Sequence, residues 1–174
     1  MENQKRKIVY IIPVLVISLL VSIDQLTKHI VDSTMKLGDS KTVIKNIFEI
    51  SYIRNEGVAW GLFAGKRIIF LIMTCIIIAG CFYVYVNTYK IKKFLLLRMS
   101  LVVLVSGAIG NMIDRIKLGY VIDFFYFKPI DFPVFNVADI YVVVSMISIF
   151  LLILFKYTNE DFDEIFGVKK KDDK

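Results

Sequence analysis

MSLVVLVSGAIGNMIDR, residues 99–115, runs from Met99 to Ile113 without a charge except Arg98 just before it, and then ends on Asp114 and Arg115. An apolar run that stops on a carboxylate and a guanidinium reads as a membrane-spanning helix arriving at an interface. A carboxylate costs roughly 2.5 kcal/mol or more at the centre of such a helix, so acids kept at its border call for a reason. The polar residues concentrate in three pieces: GAIGNMIDR (Gly107–Arg115), VIDF (Val121–Phe124) and FNVAD (Phe135–Asp139).

Three further stretches lack charge over similar lengths: Ile8–Ile23, Ile68–Val86 and Ile140–Phe155. Each is a little short of the ~20 residues of a full span, so polar residues at their ends must lie at or just inside the interface. With 57% hydrophobic residues and a mean hydropathy of +0.66, the 174-residue chain is far from an ordinary soluble domain. The expected fold is an all-α membrane protein of one domain, 1–174, with spans near 8–26, 67–87, 94–113 and 137–156 and a charged tail over 157–174. Lys5, Arg6 and Lys7 precede the first apolar run as in a signal peptide, yet Asp24-Gln25-Leu26-Thr27-Lys28 follows it instead of a small-residue cleavage site. A retained first helix is expected.

Four spans place both termini on one side. Residues 1–7, 87–98 and 156–174 carry 12 Lys/Arg in 38 residues, and the opposite loops, 24–67 and 114–139, carry 10 in 70. The denser side is expected to be cytoplasmic. Alternating direction then brings Asp24, Asp114 and Asp139 to one depth on the outer side, with Asp123 in the short connection beside them. The net charge of +6 belongs to residues flanking the spans, which points to an anionic membrane surface and not to nucleic acid.

Between the first two spans, Thr42–Asn55 (TVIKNIFEISYIRN) is rich in Ile, Phe and Tyr and predicts a small extracytoplasmic β-sheet of two or three strands. Gly57, Gly61 and Gly65 mark a turn-rich return, Gly119-Tyr120 and Pro129–Pro133 further turns, and Trp60 fits an interfacial anchor. The tail from Lys156 reads as an exposed helix or disorder. Cys75 and Cys81, on one helix, cannot pair and read as small packing residues; with no His or carboxylate beside them, no metal site is expected. His29 is the only histidine, which argues against a Ser-His-Asp or Cys-His mechanism unless His29 is itself the base.

Asp123 and Asp139 form the leading pair. Two carboxylates close together at low dielectric cannot both ionise readily, so they can share a proton. One then activates water while its protonated partner hydrogen-bonds a scissile carbonyl, chemistry that needs no metal, cofactor or covalent intermediate. The plainer alternative is that Asn136 caps the fourth helix and Asp139, three residues on, completes the cap. Asp123 also reads as a merely solvated loop residue. Asn111 and Arg115, four apart, share a helix face, and Arg115 is suited to anchor a carbonyl or a carboxylate. Asp114 reads as a structural partner, and Gly107 and Gly110 as close-packing positions. Asp24, at the expected end of the first helix, either pairs with Lys28 or supports the site. Asn55 is suited to hold a bound backbone, with Gly57 allowing close approach, although a plain turn fits the same residues.

DQLTK, NEGVAWG, GAIGNMIDR, GYVIDF and FNVAD resemble, in order and spacing, the motifs of bacterial lipoprotein signal peptidases (signal peptidase II), over roughly residues 8–155. The resemblance implies that Asp123 and Asp139 are the catalytic pair of an aspartic endopeptidase. It implies supporting or substrate-contacting roles for Asp24, Lys28, Asn55, Gly57, Asn111, Asp114, Arg115 and Asn136. It also implies a diacylglyceryl-prolipoprotein substrate cut just before its lipidated cysteine; a monomer among the lipids of the bacterial cytoplasmic membrane is expected, and the charge topology turns its site outward. Val58 and Trp60 depart from the motif's usual small residue and Phe. The rival readings are a small proton-coupled transporter, or an assembly subunit whose polar residues lock helices together. A transporter would place its acids nearer the midplane.

Overall fold

The computed structural model describes residues 2–57 and 67–167, with side chains from Val9 onward. Val58, Trp60, Gly61, Gly65 and the last seven residues of the tail lie outside the described residues. The elements in order are α1 (Glu2–Thr34), β1 (Ser40–Ile44), β2 (Phe48–Asn55), α2 (Arg67–Thr88), α3 (Leu95–Lys117), β3 (Val121–Phe127), α4 (Val137–Phe155) and α5 (Asn159–Phe166). Four helical stretches are long and apolar enough to cross a membrane: Val9–Thr34, Arg67–Thr88, Lys92–Lys117 and Val137–Phe155. The last begins with Asp139 in its first turn, and the third ends on Arg115 and Lys117.

α3 is the central helix, packing against α4, α1 and α2. Small residues let it do so. A Cβ on Gly107 would lie 2.5 Å from the Ala138 carbonyl oxygen, and one on Gly110 would lie 2.6 Å from Asp24 Oδ2. Membrane helices gain no hydrophobic drive from meeting each other, so close backbone approach and hydrogen bonds between helices take its place. The Ser100 and Ser148 hydroxyls, 2.8 Å apart, are one such bond between α3 and α4. Outward-facing Leu15, Ile68, Ile76 and Phe155 are exposed, as lipid-facing side chains are. Cys81 packs in the core, whereas Cys75 is exposed, contrary to the packing role expected of it.

Pro13 lies inside α1 and has no N–H for the carbonyl four residues back. That carbonyl, of Val9, accepts a hydrogen bond from Tyr85 Oη at 2.8 Å, which ties α2 to α1. At the same end α5 folds against α2, with Ile165 buried and Lys93 clasping Asp161. The tail over 159–166 is therefore a docked helix and not a free one. Lys93 and the Thr158 backbone N–H hold the Asp161 carboxyl below its usual pKa.

Two expectations are corrected. The first helix does not end near Asp24 but continues to Thr34, so Asp24 and Lys28 lie within it. The sheet is not confined to the connection between the first two spans: β3, between α3 and α4, is its third strand, in the order β1-β2-β3 with both pairings antiparallel. Asn46, at φ 62°, turns β1 into β2. Val31 of α1 and Met35, just past its end, pack with Tyr52, Ile122 and Phe124 to seat the sheet on the helix end.

Candidate active site

Of the three acids expected at one depth, a single lysine joins two. Lys28 Nζ is 2.9 Å from Asp24 Oδ2, 2.9 Å from Asp114 Oδ2 and 2.9 Å from Asn111 Oδ1. An ammonium has three N–H donors and all three are used. Lys28 is 2% exposed and Asp24 0%, so this is a buried charge cluster, tolerable only because each member is paired. Asp24 Oδ1 accepts from the Ala138 backbone N–H at 2.9 Å, binding α1 to the first turn of α4. Asp114 Oδ1 accepts from Gln25 Nε2 at 2.8 Å, and its Oδ2 from the Ile122 N–H at 3.3 Å, which fixes the start of β3.

The cluster sets the orientation of the next layer. Asn111 Oδ1 is taken by Lys28 and by Asn136 Nδ2 at 3.1 Å, so its own Nδ2 points the other way, donating to Asp139 Oδ1 at 2.7 Å. Asn136 caps α4: its Oδ1 accepts from the Asp139 N–H at 3.0 Å, while Asp139 Oδ2 accepts from the Asn136 N–H at 3.1 Å. The same Asn136 gives Nδ2 to Asp123 Oδ1 at 2.6 Å. Asp123 Oδ2 accepts from Asn55 Nδ2 at 2.9 Å, and Asn55 Oδ1 accepts from the Gly57 N–H at 3.0 Å. Asn55 therefore holds a carboxylate and closes the turn to Gly57 that the same residues suggested.

Arg115 reaches the same wall. Its guanidinium lies 4.8 Å from the Phe70 ring centroid and donates to the Gly57 carbonyl at 3.3 Å and the Asn111 carbonyl at 3.5 Å. All ten residues singled out from the sequence thus fall in one connected network at one end of the bundle. Gln25 and the Ala138 N–H join it unforeseen. Gln25 had a signal, its place inside DQLTK; a backbone N–H has none.

Asp123 and Asp139 both line a cleft of 1210 Å³, together with Asn55, Gly57 and Arg115. Much of the remaining lining is apolar, with Ile130, Phe132, Phe135, Ile140, Val143 and Val144. Asp123 is not the loop residue considered from the sequence. It sits on β3, opposite Ile53 of β2, and is 1% exposed. Burial, reinforced by the nearby Asp139 charge, pushes its carboxyl up to about 7 against the opposing hydrogen bonds from Asn55 and Asn136. Two acids from different elements, one with its carboxyl raised to titrate near neutrality, can accept and deliver a proton within one cleft.

Residues 16–155 match the family described as signal peptidase (SPase) II. The chain belongs to the signal peptidase II family. Membership makes it a peptidase, and so a hydrolase. Among its relatives, a lipoprotein signal peptidase of Enterococcus faecalis is 38% identical over 140 residues, 80% of this chain and 86% of the relative. One of Staphylococcus aureus is 38% identical over 154 residues, 87% and 93% of the two chains. Two solved structures, each described as a bacterial membrane enzyme, share the fold. One, at 2.3 Å resolution, has a TM-score of 0.74 and 35% identity, covering 93% of this chain and 94% of its own. The other, at 1.9 Å, has a TM-score of 0.73 and 37% identity, covering 83% and 94%. With four apolar helices, this signal peptidase II is a multi-pass membrane protein.

Proposed function

We propose that this chain removes signal peptides from lipoprotein precursors as an aspartic endopeptidase, with Asp123 and Asp139 as its catalytic pair. The observation that carries the reading is that Asn136 joins the two carboxylates, donating to Asp123 and exchanging cap bonds with Asp139, where both face the cleft. The pair shares one proton, a state supported by the raised pKa of Asp123. The ionised member takes a proton from water as its oxygen attacks the scissile carbonyl carbon. The protonated member donates to the carbonyl oxygen. Collapse of the tetrahedral intermediate breaks the C–N bond, and the amine leaves with the proton taken from water.

The remaining residues orient this pair. Lys28, Asp24 and Asp114 fix Asn111; Asn111 and Asn136 fix Asp139; Asn55 fixes Asp123. Arg115 and Gly57 position the substrate backbone. The apolar wall of Ile140, Val143 and Val144, continuous with the bilayer face of α4, suits the acyl chains of a diacylglyceryl cysteine, with cleavage on its N-terminal side. The denser basic charge beside the termini supports an orientation with both termini cytoplasmic, the sheet and cleft toward the outer face of the bacterial cytoplasmic membrane. The chain, 1–174, acts as one domain and as a monomer.

Asp123→Asn and Asp139→Asn, each purified and shown folded by its thermal transition, test the pair. Each lowers the cleavage rate of a diacylglyceryl-modified precursor by about 10²-fold or more. A folded variant of either kind that turns over at near the parent rate overturns the assignment.

A further inference from the structure

The bundle has a second concavity at the end remote from the cleft. α1 and α2 each pack on α3 and leave a groove of 430 Å³ between them. Met99 and Val102 of α3 form its floor, Pro13 and Val16 one wall, and Tyr85 and Tyr89 the other. The Tyr85–Val9 hydrogen bond, 2.8 Å, joins the two walls. From Leu95 to Val103 its floor is about 12 Å long, close to the ~15 Å depth of one leaflet.

Among the described residues, Arg98 is the one charged side chain lining the groove. A long side chain near a helix start points back toward that start, and this one reaches the α2–α3 connection, where Nη1 donates to the Thr88 carbonyl and, at 3.2 Å, to the Ile91 carbonyl. Both bonds use a single nitrogen. Among the described residues, Nε and Nη2 make no hydrogen bond, although a guanidinium offers five donors in a fork suited to phosphate. A second cation stands at the rim: Lys90 Nζ is 5.5 Å from the ring centroid of Tyr89. No acidic side chain among the described residues lines the groove to oppose them.

We infer that this groove binds one phospholipid with an anionic headgroup, an acyl chain on Met99 and Val102 and the phosphate on Arg98. A net anionic head suits two cations without a counter-charge; a choline head would bring its own cation against Lys90. The inference does not rest on the catalytic reading, because no residue of the cleft takes part.

The test uses the full chain in nanodiscs holding phosphatidylglycerol and phosphatidylcholine in equal amounts, released into the gas phase for native mass spectrometry. The parent protein retains one phosphatidylglycerol in preference to phosphatidylcholine. Arg98→Gln reduces that preference by about tenfold, and Lys90→Gln reduces it less. Val102→Trp fills the floor without touching the Arg98 bonds and abolishes retention of both lipids. Equal retention of the two lipids by the parent overturns the inference. So does parent-like retention by Val102→Trp, or a second copy of the chain bound in place of lipid.

Discussion

Lys28 Nζ on α1 lies 2.9 Å from Asp114 Oδ2 on α3, and neither side chain is more than 4% exposed. Because Asp24 sits at the same distance from the same nitrogen, one ammonium is the ion-pair partner of two buried carboxylates. Its removal strands both. Lys28→Met is expected to cost about 3–5 kcal/mol, read as a lowered Tm in detergent, since a broken buried pair leaves uncompensated charge. Lys28→Met with Asp24→Asn and Asp114→Asn together recovers part of the loss.

Asn136 caps a helix and holds a carboxylate, and one substitution separates the two tasks. Asn136→Ser keeps an oxygen for the Asp139 N–H but has no amide to offer Asp123 or Asn111. Stability falls by about 1–3 kcal/mol, because buried acceptors lose their donor, and cleavage falls by about 10- to 100-fold as Asp123 loses its partner. Asn136→Ala loses a further ~1 kcal/mol of stability, the usual cost of a missing cap.

The pH dependence follows from Asp123. Its folded pKa, about 7, lies above the ordinary value of 3.8, so the folded state holds a proton that the unfolded state releases. Its contribution to stability is complete below about 4 and is lost as the pH rises through about 7. Asp123→Asn, uncharged throughout, therefore gains in Tm relative to the parent as the pH is raised from about 4 to about 7, and the gain levels off above that. Cleavage by the parent falls about tenfold per pH unit above the apparent pKa, as the shared proton is lost.

Two glycine replacements form a contrast. Gly110→Ala puts a methyl 2.6 Å from Asp24 Oδ2 and pushes the buried cluster apart, so both Tm and cleavage drop. Gly80→Ala meets nothing within 4 Å and is neutral or stabilising by up to about 1 kcal/mol, as helix propensity predicts.

The helices were legible because a charge-free run of membrane length is hard to place anywhere but in a bilayer. So were the close-packing roles of Gly107 and Gly110 and the cap of α4. The cap and the proposed site, weighed as alternatives from the sequence, are combined in Asn136 and Asp139. What escaped the sequence is non-local. In the sequence the charges of Asp24 and Lys28 mark a helix end, and only Asp114 and Asn111, distant in sequence, show why the helix continues through them. VIDFFYF concealed a strand because it lacks alternation: Val121 to Phe124 are buried in succession, so period 2 leaves no trace. Its partner β2 lies on the far side of two helices in the chain, beyond the reach of any local pattern.

The continuation of α1 past Asp24 also makes that helix a gauge. Asp24, Lys28 and Val31 on the helix and Met35 just past its end, its N–H on the Val31 carbonyl, follow one another at steps of four, three and four, a single stripe about 17 Å long. Its lower half sets the charged cluster and its upper half seats the sheet that carries Asn55 and Asp123. Height and rotation of the two are therefore one variable. Adding a residue between Lys28 and Val31 would turn the upper half by about 100° relative to the lower, and the asparagines could no longer meet their carboxylates from both sides.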